Sequence, residues 1–290
     1  MEKENNKNDR AGRIITAATL LMSACSMILA AILFVRLNDL EERLKSVSFN
    51  SYVEQTVVSN NYIVTGEDDP GQVTVSFSDD SVKKAYLTFD DGPSVNTGKI
   101  LDILKQYNVK ATFFVCGTVD GNENLRNLYK RIVDEGHTIA MHSYSHRYGT
   151  LYASAKSFED DLDKIHSLIY NETGVDARLY RFPGGSGNTV SKHDMNDFIR
   201  ILHDRGYEYQ DWNVYPGNSE GTSIPADRIV SGILEKVRDN DSSIILLHDT
   251  GAKNTTVEAL PQVIEGLQKM DIRLLPMSEN TPLVQQISGQ

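Results

Sequence analysis

The 290-residue chain has two cysteines, one tryptophan and no surplus of basic residues. With only Cys25 and Cys116, no disulfide framework can be inferred. Cys25 lies in an apolar run, and Cys116 ends the strand-like stretch 111–116, where a small core hydrophobe fits better than a nucleophile. A formal net charge of -11, from 29 Lys and Arg against 40 Asp and Glu, argues against a nucleic-acid partner, because phosphate backbones demand clustered cations and no basic stripe is present. There is no internal repeat and no low-complexity tract. Gly184-Gly185-Ser186-Gly187 lacks the Gly-Lys-Ser/Thr of a P-loop, and the pair His142 and His146 lacks the glutamate that a metalloprotease carries beside its first histidine. His137, His166, His193 and His203 have no comparable setting and read as surface or helix-packing residues.

Charge is also missing from 14–35, an apolar stretch flanked by Arg13 and Arg36. It exceeds the ~20 residues that cross a bilayer. Lys3, Lys7, Arg10 and Arg13 precede it and favour a cytoplasmic N-terminus, although Arg36, Arg43 and Lys45 beyond it reduce the contrast. The expected arrangement is a cytoplasmic tail over 1–13, a transmembrane anchor over 14–35 and an extracytoplasmic remainder, in a single-pass protein of the cell membrane. A cleaved signal peptide, whose apolar core runs to about 7–15 residues, fits the length less well. Lipoprotein cleavage before Cys25 and burial as a soluble core helix fit it less well too. Residues 36–80 read as stalk and linker. Leu37, Leu40, Leu44 and Val47 have a/d-like spacing, but coiled coils need about three or four heptads. The polar stretch that follows has room for one or two strands, such as 72–77.

From Lys83 onward, apolar strand candidates alternate with amphipathic helix candidates. The strands are 85–89, 111–115, 138–141, 179–182, 207–214, 243–247 and 272–277; the helices are 98–107, 123–135, 157–170, 194–205, 226–238 and 256–270. This alternation predicts an α/β domain over 81–280, a distorted (β/α)7-type barrel preceded by the transmembrane helix and linker, with a C-terminal tail over 281–290. Asp90, Asp91, His142, Arg181, Trp212 and His248 all fall at C-terminal strand ends, the end of an α/β barrel that carries active sites.

The chemistry of those residues points to a metal hydrolase. Adjacent carboxylates at Asp90 and Asp91 repel unless a cation or proton separates them, and Gly92-Pro93 fixes where both point. His142 and His146, four apart, can face one way across a helical turn, which suits a zinc-type ion. One carboxylate and two imidazoles leave a coordination position open, as catalytic sites do.

Five motifs in order then resemble the polysaccharide deacetylases of carbohydrate esterase family 4, the NodB-homology domain. They are Thr88-Phe89-Asp90-Asp91-Gly92-Pro93, His142-Ser143-Tyr144-Ser145-His146, Arg181-Phe182-Pro183-Gly184-Gly185, Asp211-Trp212-Asn213-Val214 and Leu246-Leu247-His248-Asp249. The third and fourth, with the anchor, are similar to peptidoglycan N-acetylglucosamine deacetylases of Gram-positive bacteria. The resemblance implies Asp90 as general base and Asp91, His142 and His146 as ligands of a divalent metal, zinc or else cobalt or nickel. It implies His248 as the acid that protonates the leaving amine, and Arg181 as the residue that orients Asp90. It further implies a backbone N–H near Gly184 as oxyanion donor, and a substrate pocket built from Pro183, Gly184, Trp212 and Leu246. The implied partner is peptidoglycan. A second reading is another N-acetylated or acetylated glycan (chitooligosaccharide, xylan, an exopolysaccharide), and a third is a catalytically weak glycan-binding module.

One position departs from the family pattern. Related enzymes carry an Asp that pairs with the acid histidine where Asn218 stands here. An amide orients an imidazole but does not raise its pKa as a carboxylate does. Asp211 and Asp249 are the candidates to substitute.

Overall fold

The computed structural model of the chain describes residues 64–65, 74–75, 82–117, 119, 122–217 and 224–287. The chain divides into two units, Met1–Asp79 and Asp80–Gln290. In the first, β1 (Val64–Thr65) pairs antiparallel with β2 (Thr74–Val75). The anchor expected over 14–35 lies outside the described residues, and among the described residues no helix is long and apolar enough to cross a membrane.

The second unit is a curled parallel sheet with helices packed on its outer face. Its strands are β3 (Lys84–Asp90), β4 (Thr112–Cys116), β5 (Thr138–Ser143), β6 (Leu179–Tyr180), β7 (Glu208–Tyr209), β8 (Ser242–His248) and β9 (Arg273–Leu274). The helices are α1 (Thr97–Gln106), α2 (Glu123–Asp134), α3 (Tyr148–Leu151), α4 (Ala155–Thr173), α5 (Met195–Asp204), α6 (Ala226–Lys236) and α7 (Asn254–Lys269). All seven expected strands and six expected helices are present, and the short α3 is an addition. Local chemistry sets several boundaries. Ser154 caps α4 by accepting from the Ser157 N–H, and Gly174 ends it at φ 75, a backbone region that glycine enters without penalty.

The strand order is β7-β6-β5-β4-β3-β8, all parallel, which is the cyclic sequence order of a barrel opened between β7 and β8. The departure from a seven-stranded ring lies at the last strand: β8 pairs with β3 along its whole length, and β9 meets only the start of β3, with Lys84 opposite Arg273 and Ala85 opposite Leu274. The two ends of the sheet meet through one bridge, Val214 to Ile245, made by the chain that continues from β7. β6 and β7 are shorter than their apolar patterns suggested. Pro183 has no N–H to extend β6, and the Asp211 N–H beyond β7 is given to the Val284 carbonyl.

Period-two alternation sorts the strand residues onto two faces. Leu87, Phe89, Phe113, Val115, Ile139, Met141, Ile245 and Leu247 belong to the large cluster shared with the helices. Tyr86, Phe114, Ala140 and Ile244 form a smaller cluster with Met277 inside the curl, against which Trp212 packs. Continuing the inner parity toward the C-terminal ends gives Thr88 and Asp90 on β3, His142 on β5, Arg181 just past β6, and Leu246 and His248 on β8. The interior is therefore apolar below and chemically functional above.

Candidate active site

Asp90 and His248 are register partners at the ends of the neighbouring strands β3 and β8. The Asp90 carboxylate is buried and accepts from Arg181 Nη1 at 2.8 Å. Arg181 is itself fully buried, and each branch of its guanidinium is used. Nη1 also meets Thr88 Oγ1 at 2.7 Å, Nε donates to the Gln210 carbonyl at 2.9 Å, and Nη2 donates to the Asp211 carbonyl at 3.0 Å. The guanidinium lies 3.9 Å from the Phe114 ring centroid. Four acceptors and an aromatic face leave Arg181 one orientation, and hence Asp90 one orientation.

Asp91 leaves the strand at φ 73, a left-handed conformation that Asp tolerates better than most residues. The turn that follows requires a glycine for space as well, since a Cβ on Gly92 would collide with the Asp249 carboxylate. The result is that adjacent acids point to different jobs, Asp90 into the inner face and Asp91 toward two imidazoles. Asp91 Oδ1 lies 3.4 Å from His142 Nε2 and 3.0 Å from His146 Nε2.

The histidine pair is not on a helix, which corrects the expectation drawn from its spacing. His142 belongs to β5, where the β4–β5 register shifts between Val115 and Cys116, and His146 sits in the following turn at φ 48. A strand end plus a left-handed turn brings the two rings to 5.1 Å between centroids. His142 Nδ1 is 2.7 Å from the Arg181 carbonyl, which can only accept, so Nδ1 carries a proton and Nε2 is the nitrogen turned toward Asp91.

These donors fit a metal ion. One ligand atom from each of Asp91, His142 and His146 lies within 4.8 Å of the others. A tetrahedral ion with ligands at about 2.0–2.2 Å separates them by roughly 3.4 Å, close to the contacts seen. Burial alone would raise the Asp91 pKa, but the hydrogen-bonded His142 and His146 hold it well below the usual carboxylate range. Burial alone would lower that of His146, and the Asp91 hydrogen bond overcomes it to give a raised value. The ionised carboxylate and the two imidazoles together present the mixed oxygen and nitrogen donors that a divalent cation takes.

The cleft above these groups has a volume of about 340 Å³ and is lined by the three ligand candidates, Asp90, His248, Gly184, Trp212 and Leu246. Pro183 is not among its lining residues; it is buried below, its carbonyl accepting from the Tyr152 hydroxyl at 2.9 Å. Two lining residues escaped the sequence reading, Tyr148 and Lys253. Tyr148 had a signal, standing two residues after His146, whose ring it meets edge-on at 5.7 Å. Burial pushes the His248 pKa below its ordinary value, opposed by Asp91 and Asp90 and reinforced by His142 and Lys253.

Neither acid suggested as a substitute at Asn218 is turned to His248. Asp249 accepts from Ser94 Oγ at 2.8 Å and from the Thr97 hydroxyl, and Asp211 accepts from the Ser186 hydroxyl and from the N–H groups of Ser186 and Gln286, both at 2.9 Å. Asn218 itself lies outside the described residues. Cys116 is buried, and burial first, then Asp91 and Asp90, push its thiol pKa well up, leaving it without nucleophilic character.

Comparison with known proteins agrees with this geometry. A family profile described as polysaccharide deacetylase matches residues 78–200. The chain is 38% identical over 197 residues to a bifunctional xylanase/deacetylase of Pseudobutyrivibrio xylanivorans, covering 68% of this chain and 30% of that protein. It is 32% identical over 190 residues to a peptidoglycan-N-acetylglucosamine deacetylase of Bacillus cereus, covering 64% of this chain and 66% of that protein. The chain therefore spans less than two thirds of both relatives. Among solved structures, the catalytic domain of peptidoglycan N-acetylglucosamine deacetylase from Eubacterium rectale superposes with a TM-score of 0.68 at 38% identity, covering 76% of this chain and 99% of that one.

Proposed function

The chain belongs to the polysaccharide deacetylases, carbohydrate esterase family 4, and from that premise we propose that it hydrolyses the N-acetyl group of N-acetylglucosamine units in cell-wall peptidoglycan. The products are acetate and a glycan bearing free amines. The observation that carries this reading is the convergence in one cleft of a clamped carboxylate, Asp90, a three-residue ligand set, Asp91, His142 and His146, and a facing imidazole, His248.

Asp91, His142 and His146 would hold a divalent cation, zinc or else cobalt or nickel, and when bound it supplies Lewis acidity, lowering the pKa of water and polarising an acyl oxygen. Asp90 takes the proton from the attacking water at the oxygen not committed to Arg181. Arg181 keeps that carboxylate aimed and excludes water from beneath it. Gly184 at the cleft wall offers an N–H to the developing oxyanion. His248 gives a proton to the departing sugar nitrogen as the carbon–nitrogen bond breaks, because expulsion of an unprotonated amine is slow. Trp212 and Leu246 wall the space for the acetyl methyl.

The location belongs to the same proposal: an extracytoplasmic domain held at the cell membrane by 14–35, supported by the length and lack of charge of that stretch. A different polymer is the second reading, favoured by the identity to a bifunctional xylanase/deacetylase. A binding module without catalysis has less support, since such a module has no use for a complete set of acid, base and ligands.

The deciding experiment is acetate release by the full chain from N-acetylated peptidoglycan, from chitooligosaccharides and from acetylated xylan, with and without added zinc or cobalt. Metal-dependent release from peptidoglycan, abolished in Asp90→Asn, is the expected result. Release from xylan or chitooligosaccharide alone moves the substrate assignment, and release from none of them in any metal form overturns the hydrolase.

A further inference from the structure

A buried acid that takes no part in the proposed chemistry controls the turn between the two histidines. Asp161 lies on α4 at 6% exposure, in the middle of the helix's buried face with Phe158, Leu162, Ile165 and Ile169. A carboxylate in that stripe is costly unless hydrogen bonds replace the lost water. Among the described residues Asp161 has no ion-pair partner. Instead it accepts from Ser143 Oγ at 2.8 Å and the Tyr144 N–H at 2.7 Å on one oxygen, and from the Ser145 N–H at 2.9 Å on the other. Ser143 Oγ passes the restraint on by accepting from the His146 N–H at 2.8 Å.

These four bonds span the link between His142 and His146. The far side of the turn is equally tight. The Gly117 N–H donates to the Ser143 carbonyl at 3.1 Å, and a Cβ on Gly117 would collide with the Tyr144 ring. The outcome of the restraint is the left-handed backbone of His146, φ 48, which costs a non-glycine residue on the order of 1–2 kcal/mol and does not persist without support. That conformation carries the His146 ring back to Asp91. Without it the residue after Ser145 continues away from β5, and the third ligand leaves the set.

We propose that Asp161 is a positioning residue for the metal centre, fixing the 143–146 turn so that His146 joins His142 and Asp91 around one ion. The proposal rests on the reading that these three bind a divalent cation. It predicts that metal affinity depends on a helix residue that never touches the metal.

The test uses the full chain stripped of metal, with zinc affinity measured by competition against a chromophoric chelator and thermal stability measured separately in chelator. Asp161→Asn puts an N–H donor where an acceptor is required, and Ser143→Ala removes the link to His146 with little change in volume. Both are expected to weaken zinc binding by about 10–100-fold, as loss of groups that orient metal ligands does. Ile169→Val on the same helix controls for general destabilisation and is expected to lower the melting temperature with unchanged affinity. The visible absorption of the cobalt form should change in the first two variants and not in the third. If Asp161→Asn does not fold, Ser143→Ala carries the test. Zinc binding within twofold of wild type in the variants that fold overturns the proposal. Absence of zinc and cobalt binding by the wild-type chain overturns the metal reading itself, a separate result.

Discussion

Asp90 and His248 stand opposite each other in the β3–β8 register, so a carboxylate held by Arg181 and an imidazole lowered in pKa by burial face one cleft from adjacent strands. Separate roles for two neighbouring acids follow from this placement. Asp90→Asn should lower kcat by about 10²–10⁴-fold, the scale of a lost general base, with metal content unchanged. Asp91→Asn should lose metal. Activity assays paired with metal analysis of the purified proteins check both, and a metal-free Asp90→Asn protein would reverse the assignment.

Arg181 joins strands as well as orienting the Asp90 carboxylate, and this gives it a measurable structural share. Arg181→Lys keeps the charge but cannot reach Asp90, Thr88 and the carbonyls of Gln210 and Asp211 together. The unfolding free energy should fall by about 3 kcal/mol, toward the range for breaking a buried pair, and kcat should fall more than KM rises. Urea unfolding and steady-state kinetics measure the two effects. A stable, fully active lysine variant would show that Asp90 is oriented by other contacts.

Much of the candidate site was legible in the sequence as motifs at the C-terminal ends of strand candidates. The structure puts Asp90, His142, Arg181 and His248 at inner-face positions at or just past those strand ends, as the alternation of each local segment requires. What escaped detection depends on contacts between distant segments. Nothing near Arg273 announces that β8 takes the place beside β3 and leaves β9 only the first residues of that strand. His142 and His146 have helical spacing, yet the carboxylate that shapes their turn comes from Asp161 on the next long helix. The one local trace of that contact is an acid within an apolar stripe, which marks a buried polar partner without naming it.

His137 supplies a pH dependence separate from catalysis. The ring is buried, Nδ1 accepts from the Ala111 N–H at 3.1 Å, and Nε2 has no partner among the described residues. Burial, with Lys110 and Arg131 nearby, lowers its pKa from 6.5 to about 4. The folded state keeps the ring neutral while the unfolded chain takes up a proton below pH 6.5, so stability is full above that value and lost as pH falls toward 4. Between pH 7.5 and pH 5 the loss from this group should be about 2 kcal/mol. Urea midpoints at the two pH values should differ more for wild type than for His137→Gln, and equal differences would remove His137 as the cause.

Residues 281–287, set apart as a tail by the sequence, are hydrogen-bonded to buried residues next to the cleft wall. The Val284 carbonyl accepts from the Asp211 N–H at 2.8 Å, the Gln286 N–H donates to the Asp211 carboxylate at 2.9 Å, and the Ile287 N–H donates to Ser186 Oγ at 3.0 Å. Asp211 and Ser186 flank Trp212 and the glycine turn at Gly184, so the segment braces the cleft wall proposed to receive the acetyl group. Ending the chain after Asn280 leaves the buried Asp211 carboxylate short of a donor and removes several bonds worth about 1 kcal/mol each. The truncated protein should lose about 3 kcal/mol of stability on that scale. In the fraction that folds, KM should rise while zinc affinity stays at the wild-type value, because Asp91, His142 and His146 lie on other strands and their turns. Thermal melts, kinetics and the chelator competition together separate this from a metal effect. A truncated protein with unchanged KM would show that the wall holds its shape without the brace.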